Sequence, residues 1–277
     1  MRLKGVRHSR NVEDRRNTRG RSAGIGGVGV LIVLAIGYFA GIDVTPLLDD
    51  VAHPQPQTNT PLSAEERKAG EFSAAVLGTT EEVWSTVFAE QLGRQYTPPV
   101  LVLFSGVTQS PCGGANGATG PFYCPADRKA YLDTQFFATL SQQLGARGDF
   151  AAAYVIAHEV AHHVQNELGI LGQVHQARQQ ASTREANALT VRLELQADCF
   201  SGVSARAVDG LLDAGDIDEA LNAARKIGDD HLQKRAGRVP QPHTFTHGTS
   251  KQRASWFARG YDTGALQSCD TFAAKRL

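Results

Sequence analysis

Two histidines four residues apart, with a glutamate directly after the first, constrain this chain more than any other feature of its sequence: His158-Glu159-x-x-His162. Residues at that spacing stack on one face of a helix, so both imidazoles can reach a single ion. Glu159 sits beside them, badly placed to be a third ligand but able to hold and deprotonate a water. Zinc hydrolysis divides the labour in this way. The ion lowers the pKa of bound water to about 7 and polarises the scissile carbonyl, while a carboxylate shuttles the proton. Tyr154, Ala157, Ala161, Val164 and Leu168 recur at helical spacing, with Asp149 as the expected N-cap and Gly169 as the stop.

Such a site needs a third protein ligand. The next strongly helical stretch, Arg192-Leu193-Glu194-Leu195-Gln196-Ala197-Asp198, puts Glu194 and Asp198 on one face. One carboxylate can bind the ion while the other accepts the Nδ1 proton of a ligand histidine and fixes its tautomer. The expected site is therefore Zn²⁺ on His158, His162 and Glu194 with an open fourth position, Glu159 as general base and Asp198 orienting a ligand. His163 lies about 100° round the helix from His162 and is expected to be a supporting or core histidine.

These segments resemble the neutral zinc metallopeptidases, and the likeness runs nearly end to end. It covers Asn11-Val12-Glu13-Asp14-Arg15-Arg16, the stretch from Ser110-Pro111-Cys112-Gly113-Gly114 to Gly120-Pro121-Phe122-Tyr123-Cys124-Pro125, both helical motifs, and Phe245-Thr246-His247-Gly248-Thr249-Ser250. More distantly, Glu194 to Asp198 after the His-Glu-x-x-His helix is similar to gluzincin peptidases. The resemblance implies an α+β zincin-like domain, mostly helical with a small sheet, and peptidase activity. By analogy with gluzincins, Asp198 would orient His158, one strand would border the cleft and pair with extended substrate, and His247 would supply a donor to the carbonyl oxygen as its charge develops.

Charge is balanced overall, with 28 Lys plus Arg against 28 Asp plus Glu, so no bulk attraction to nucleic acid is implied. It is uneven along the chain. Residues 1–22 carry eight Arg or Lys against Glu13 and Asp14. Residues 23–42 are uncharged and apolar, long enough for a helix across a hydrocarbon core of about 30 Å. With Asp43, Asp49 and Asp50 beyond it, the positive-inside rule predicts a basic cytoplasmic tail, one span of the cytoplasmic membrane, and an extracytoplasmic remainder. A cleaved signal peptide is the rival, but no Ala-x-Ala site follows. Residues 43–62 are a proline-rich tether, and residues 63–277 form the domain.

Within that domain Ser63-Ala64-Glu65-Glu66 has the form of a capping box, and a further helix is expected at 81–92. Val100 to Phe104 read as a buried strand, followed by a glycine-rich loop at 112–120 that lacks the phosphate-loop lysine. Extended pieces are expected near Phe122-Tyr123 and at 129–132, then helices at 134–144, 216–227 and 251–259, with residues 173–189 as a surface helix or flap. Four cysteines in an oxidising location imply two disulfides, and the local pairing is Cys112 with Cys124 and Cys199 with Cys269. The expected partners are a peptide or protein substrate and the membrane, with no nucleic acid; oligomeric state is not legible. A zinc-binding scaffold with an assembly role is the competing class, against which an intact Glu159 argues.

Overall fold

A computed structural model describes residues 1–17, 61–116 and 120–277. Strand β1 (Val12–Asp14) comes first, and helix α1 (Ala64–Val87) follows. Helix α1 opens at the expected capping box, in which the Ser63 hydroxyl accepts from the Glu66 amide and the Glu66 carboxylate accepts from the Ser63 amide. Two helices were expected between residues 63 and 92. A single helix runs on instead and ends in a π-helical turn, Phe88–Leu92. It passes through Thr79 and Thr80 because their buried hydroxyls donate back to the Val76 and Leu77 carbonyls at 2.7 and 2.8 Å.

The sheet is small. Strand β2 (Val100–Phe104) is the expected buried strand, and β3 (Val107–Ser110) with β4 (Gly113–Asn116) forms an antiparallel hairpin where the glycine-rich segment reads as loop. Strands β5 (Phe122–Cys124) and β6 (Lys129–Asp133) complete a four-stranded sheet in the order β1-β2-β6-β5. Strands β1, β2 and β6 are parallel, and β5 runs antiparallel to β6 at the edge.

Residues 1–17 thus do not stand apart as a separate tail: Val12 to Asp14 pair with Leu101 to Leu103 inside the domain's own sheet. The expected span at 23–42 and nearly all of the tether lie outside the described residues. Among the described residues, no helix is long and apolar enough to cross a membrane.

The helical layer carries the site. After a short α2 (Phe136–Ala138) and a π-helical turn, helix α3 (Asp149–Glu167) bears the histidine motif. Its N-cap is Gly148 rather than Asp149, whose side chain is taken up by the amino terminus of the chain. Gly169 ends it in the left-handed conformation. Of the two forms expected for residues 173–189, the surface helix is the one found, as helix α4 (Ile170–Gln179) and the start of α5 (Thr183–Ala207). Helices α6 (Asp216–Lys226), α7 (Asp229–Arg235) and α8 (Ser250–Thr263) follow; α7, only seven residues long, has too little length to show a helical period in the sequence.

Helix α3 packs between the sheet and α5, and α5 crosses α8 in backbone contact. A Cβ on Gly202 would lie 2.0 Å from the Phe257 carbonyl oxygen, and one on Gly260 would lie 1.9 Å from that of Cys199. Trp84 meets Phe200 edge-on at 5.8 Å in the core, and Trp256 and Phe257 are buried as expected. Both disulfides form as paired above, Cys112–Cys124 bracing the hairpin against β5 and Cys199–Cys269 fastening α5 to the C-terminal segment.

Because neither backbone at the α5–α8 crossing can yield, Gly202→Val should destabilise the protein by about 3 kcal/mol or more. Gly172→Ala, in α4 with nothing within 4 Å of its added Cβ, should be neutral or stabilising by up to about 1 kcal/mol. Urea midpoints of the two variants against the parent check both signs.

Candidate metal centre

Helix α3 presents His158, Glu159 and His162 toward α5, which presents Glu194 and Asp198 in return. The spacing of four within each pair does what helical geometry requires. His158 Nε2 lies 3.1 Å from Glu194 Oε2, and His162 Nε2 lies 3.4 Å from Glu194 Oε1. One donor atom from each of the three residues falls within 4.8 Å of the others. All three face a cleft of about 840 Å³.

Asp198 is fully buried and sits behind His158, with Oδ1 3.0 Å from Nδ1. A carboxylate there makes Nδ1 the protonated nitrogen and turns the Nε2 lone pair to the cleft. Three further bonds hold Asp198: Tyr154 Oη donates to Oδ1, and Arg253 donates from Nε to Oδ2 at 2.8 Å and from Nη2 to Oδ1 at 2.9 Å. Arg253, on α8, is buried and was not visible as a site residue in the sequence. Nothing local marks it, since its neighbours read as a terminal packing helix.

The charges are set by burial against these contacts. Burial alone would raise the Asp198 and Glu194 carboxylates, but Arg253 and His158 together outweigh it at Asp198 and the facing imidazoles outweigh it at Glu194, so both are held low. Burial alone would lower the His158 ring, yet the two carboxylates push it up to about 9. The surplus of negative charge that favours a proton at that point also favours a divalent cation. Glu159 goes the other way, its carboxyl raised chiefly by burial.

His162 is oriented by Gln165, a second residue the motif did not reveal. Gln165 Oε1 lies 2.9 Å from His162 Nδ1, while its amide donates to the Leu193 carbonyl at 2.7 Å and to Gln196 at 3.1 Å. The side-chain amide is thereby fixed with its oxygen toward the ring, and Nδ1 donates to it. His163 is the buried supporting histidine expected. Its Nε2 donates to the Thr97 carbonyl at 2.7 Å, so Nδ1 accepts from Tyr123 Oη at 2.9 Å. That contact clips the edge strand β5 to the metal-site helix.

His247 lines the same cleft but belongs to its other wall. Its side chain is half exposed, with Nδ1 3.3 Å from Asp229 Oδ1, and this contact raises its pKa. Asp229, at the start of α7, also accepts the backbone amides of Thr246, His247 and Gly248 at 2.6 to 2.9 Å. One carboxylate thus shapes the whole turn that carries the ring. Gly120, Pro121, Phe122 and Tyr123 form part of the cleft wall, and the outer edge of β5 has no strand partner among the described residues.

Two imidazoles and a carboxylate converge from two packed helices, with a buried acid fixing one ring, and form a candidate metal centre with nitrogen and oxygen donors. That donor set suits zinc with an open position. The chain belongs to the putative neutral zinc metallopeptidase family, whose profile it matches over residues 1–272. It is 47% identical to uncharacterized protein YpfJ of Escherichia coli K12, an alignment covering 98% of this chain and 99% of that one. It is also 45% identical to uncharacterized protein Rv2575 of Mycobacterium tuberculosis H37Rv over 66% of this chain and 65% of that protein. No solved structure matches it.

Since Gln165 orients His162 from behind, Gln165→Met should weaken zinc binding by about 10- to 100-fold. Competition with a fluorescent chelator measures this, with far-ultraviolet circular dichroism as the check on folding. An unchanged affinity would mean that the ring is set by packing alone.

Proposed function

We propose that this protein is a zinc-dependent peptidase in which His158, His162 and Glu194 hold the ion and Glu159 is the general base. The observation that carries the proposal is the position of Glu159: a carboxylate only 8% exposed, beside all three candidate ligands, at the wall of a wide cleft. A metal that merely stapled the fold would need neither a base nor such an opening.

Zinc bound there would polarise the scissile carbonyl and acidify a water. Glu159 would take the proton from the attacking water and return it to the leaving nitrogen. Asp198, backed by Arg253, would keep His158 in the ligand tautomer, and Gln165 would do the same for His162. His247, held by Asp229, would donate to the carbonyl oxygen as negative charge develops on it. An extended peptide would add to the free edge of β5 through main-chain hydrogen bonds. Residues 23–42 would attach the enzyme to a membrane.

Glu159→Gln should retain zinc and fold while lowering peptide turnover by about 10² to 10⁴; near-normal turnover with full zinc occupancy would remove Glu159 from the reaction. His247→Ala should lower kcat by about 10² to 10³ with zinc content unchanged. Asp229→Asn should cause a smaller loss in kcat. Steady-state kinetics on a quenched-fluorescent peptide library, paired with metal analysis, resolve the three variants.

A further inference from the structure

The amino terminus of this chain is seated in the domain like a ligand. The Met1 side chain is 2% exposed, and its ammonium group lies 3.0 Å from Asp149, 3.2 Å from Asp213 and 3.2 Å from Asp216. Burial works against that charge, but the three carboxylates outweigh it and push the amine up to about 10. Asp149 is the first residue of α3, so the chain's own N-terminus is tied to the helix that carries the two metal-site histidines. Arg2 continues the attachment, its amide donating to the Leu211 carbonyl at 2.8 Å and its guanidinium to Gly210 and Leu212.

The following residues lie along α1, in a groove the helix is built to leave open. A Cβ at Gly78 would stand 2.2 Å from the Arg7 carbonyl oxygen, and Ser9 donates its amide to the Ala74 carbonyl at 2.9 Å. Glu81 is 5% exposed, and its carboxylate accepts from Arg7 at 2.7 Å, Ser9 at 2.6 Å and Asn11 at 2.7 Å, all three in the amino-terminal segment. Beyond them β1 enters the sheet. Arg16 then pairs with Asp14 at 2.6 Å and donates to the Glu66 carbonyl. The last described residues before the gap are thus anchored to the first turn of α1.

This packing bears on sidedness. A single crossing at 23–42 would strand residues 1–17 across a bilayer from the sheet they belong to. A return crossing would have to use 43–60, where Asp43, Asp49, Asp50 and three prolines leave no apolar run of about 20 residues. We propose that residues 1–17 are a resident element of the domain, docked through the Met1 amine, the α1 groove and β1, so that the amino terminus and residues 61–277 share one side of the membrane. The proposal rests on the packing alone and stands or falls apart from peptidase activity.

All four cysteines are in disulfides, so single added thiols can report sidedness in the full-length chain. Lys4→Cys and Lys234→Cys, both at exposed positions, are treated with a membrane-impermeant maleimide before and after lysis of spheroplasts. The expected result is the same pattern for both, each reacting before lysis or each only after it. Reaction of one before lysis and of the other only afterwards overturns the proposal. A second measurement tests the docking itself. Gly78→Leu fills the groove on an otherwise favourable helix position, and limited trypsin should remove the amino-terminal residues at least tenfold faster from this variant than from the parent in detergent solution. Equal rates would show that these residues are not held, and would overturn the proposal independently of the labelling.

Discussion

The structure depends on one buried carboxylate. Asp198 is held on α5, accepts from Tyr154 and His158 on α3, and is paired with Arg253 on α8. Taking a carboxylate and a guanidinium out of water costs several kcal/mol for each ion unless geometry and further hydrogen bonds offset it. Here both carboxylate oxygens are bonded, so the cost is met only when all three helices are in register. The contact that sets the tautomer of His158 is therefore also the contact that fixes how the core helices meet. In this fold the alignment of the candidate site and the packing of the interior are the same condition.

That coupling explains which parts of the site could be read from the sequence. His158, Glu159, His162, Glu194 and Asp198 lie in two local patterns with a spacing of four, and helical geometry alone brings each pattern onto one face. Arg253, Gln165 and Asp229 carry no such signature. Arg253 reaches the site from a helix 55 residues beyond its partner. Asp229 is recognisable only once the Thr246 to Gly248 amides are seen wrapped around it. Gln165 stood three residues past His162, on the same helical face, and its spacing could have suggested the contact. Its role depends on Leu193 and Gln196, however, and these come from another helix.

The pairing of residues 12–14 within the sheet is illegible in the sequence for a related reason. The eight basic residues of the amino-terminal segment and the apolar run after it form a pattern that, taken locally, fits a tail and a span. Among the described residues several of its charges instead meet partners far along the chain: Arg7 with Glu81 and Glu82, Lys129 with Glu13, and Arg2 with Asp213. A three-residue strand such as β1 has too little length to show a periodicity, so its place in the sheet is decided by β2 and not by its own composition. The expected break within α1 has the same origin, because Glu81 is tolerated inside the helix through bonds that the distant amino-terminal residues supply.

The order of synthesis gives the C-terminal clamp a further meaning. The Cys112–Cys124 pair can close as soon as its short loop has emerged, whereas Cys199 must wait for Cys269, 70 residues later. Arg253 arrives late as well, so a nascent chain has both histidines and Glu194 available long before the guanidinium that neutralises Asp198. Until α8 is in place, closing α3 onto α5 would bury an unpaired carboxylate. The candidate ligands therefore come into alignment only once α8 has been made, and chains cut short before Arg253 are left with Asp198 unpaired.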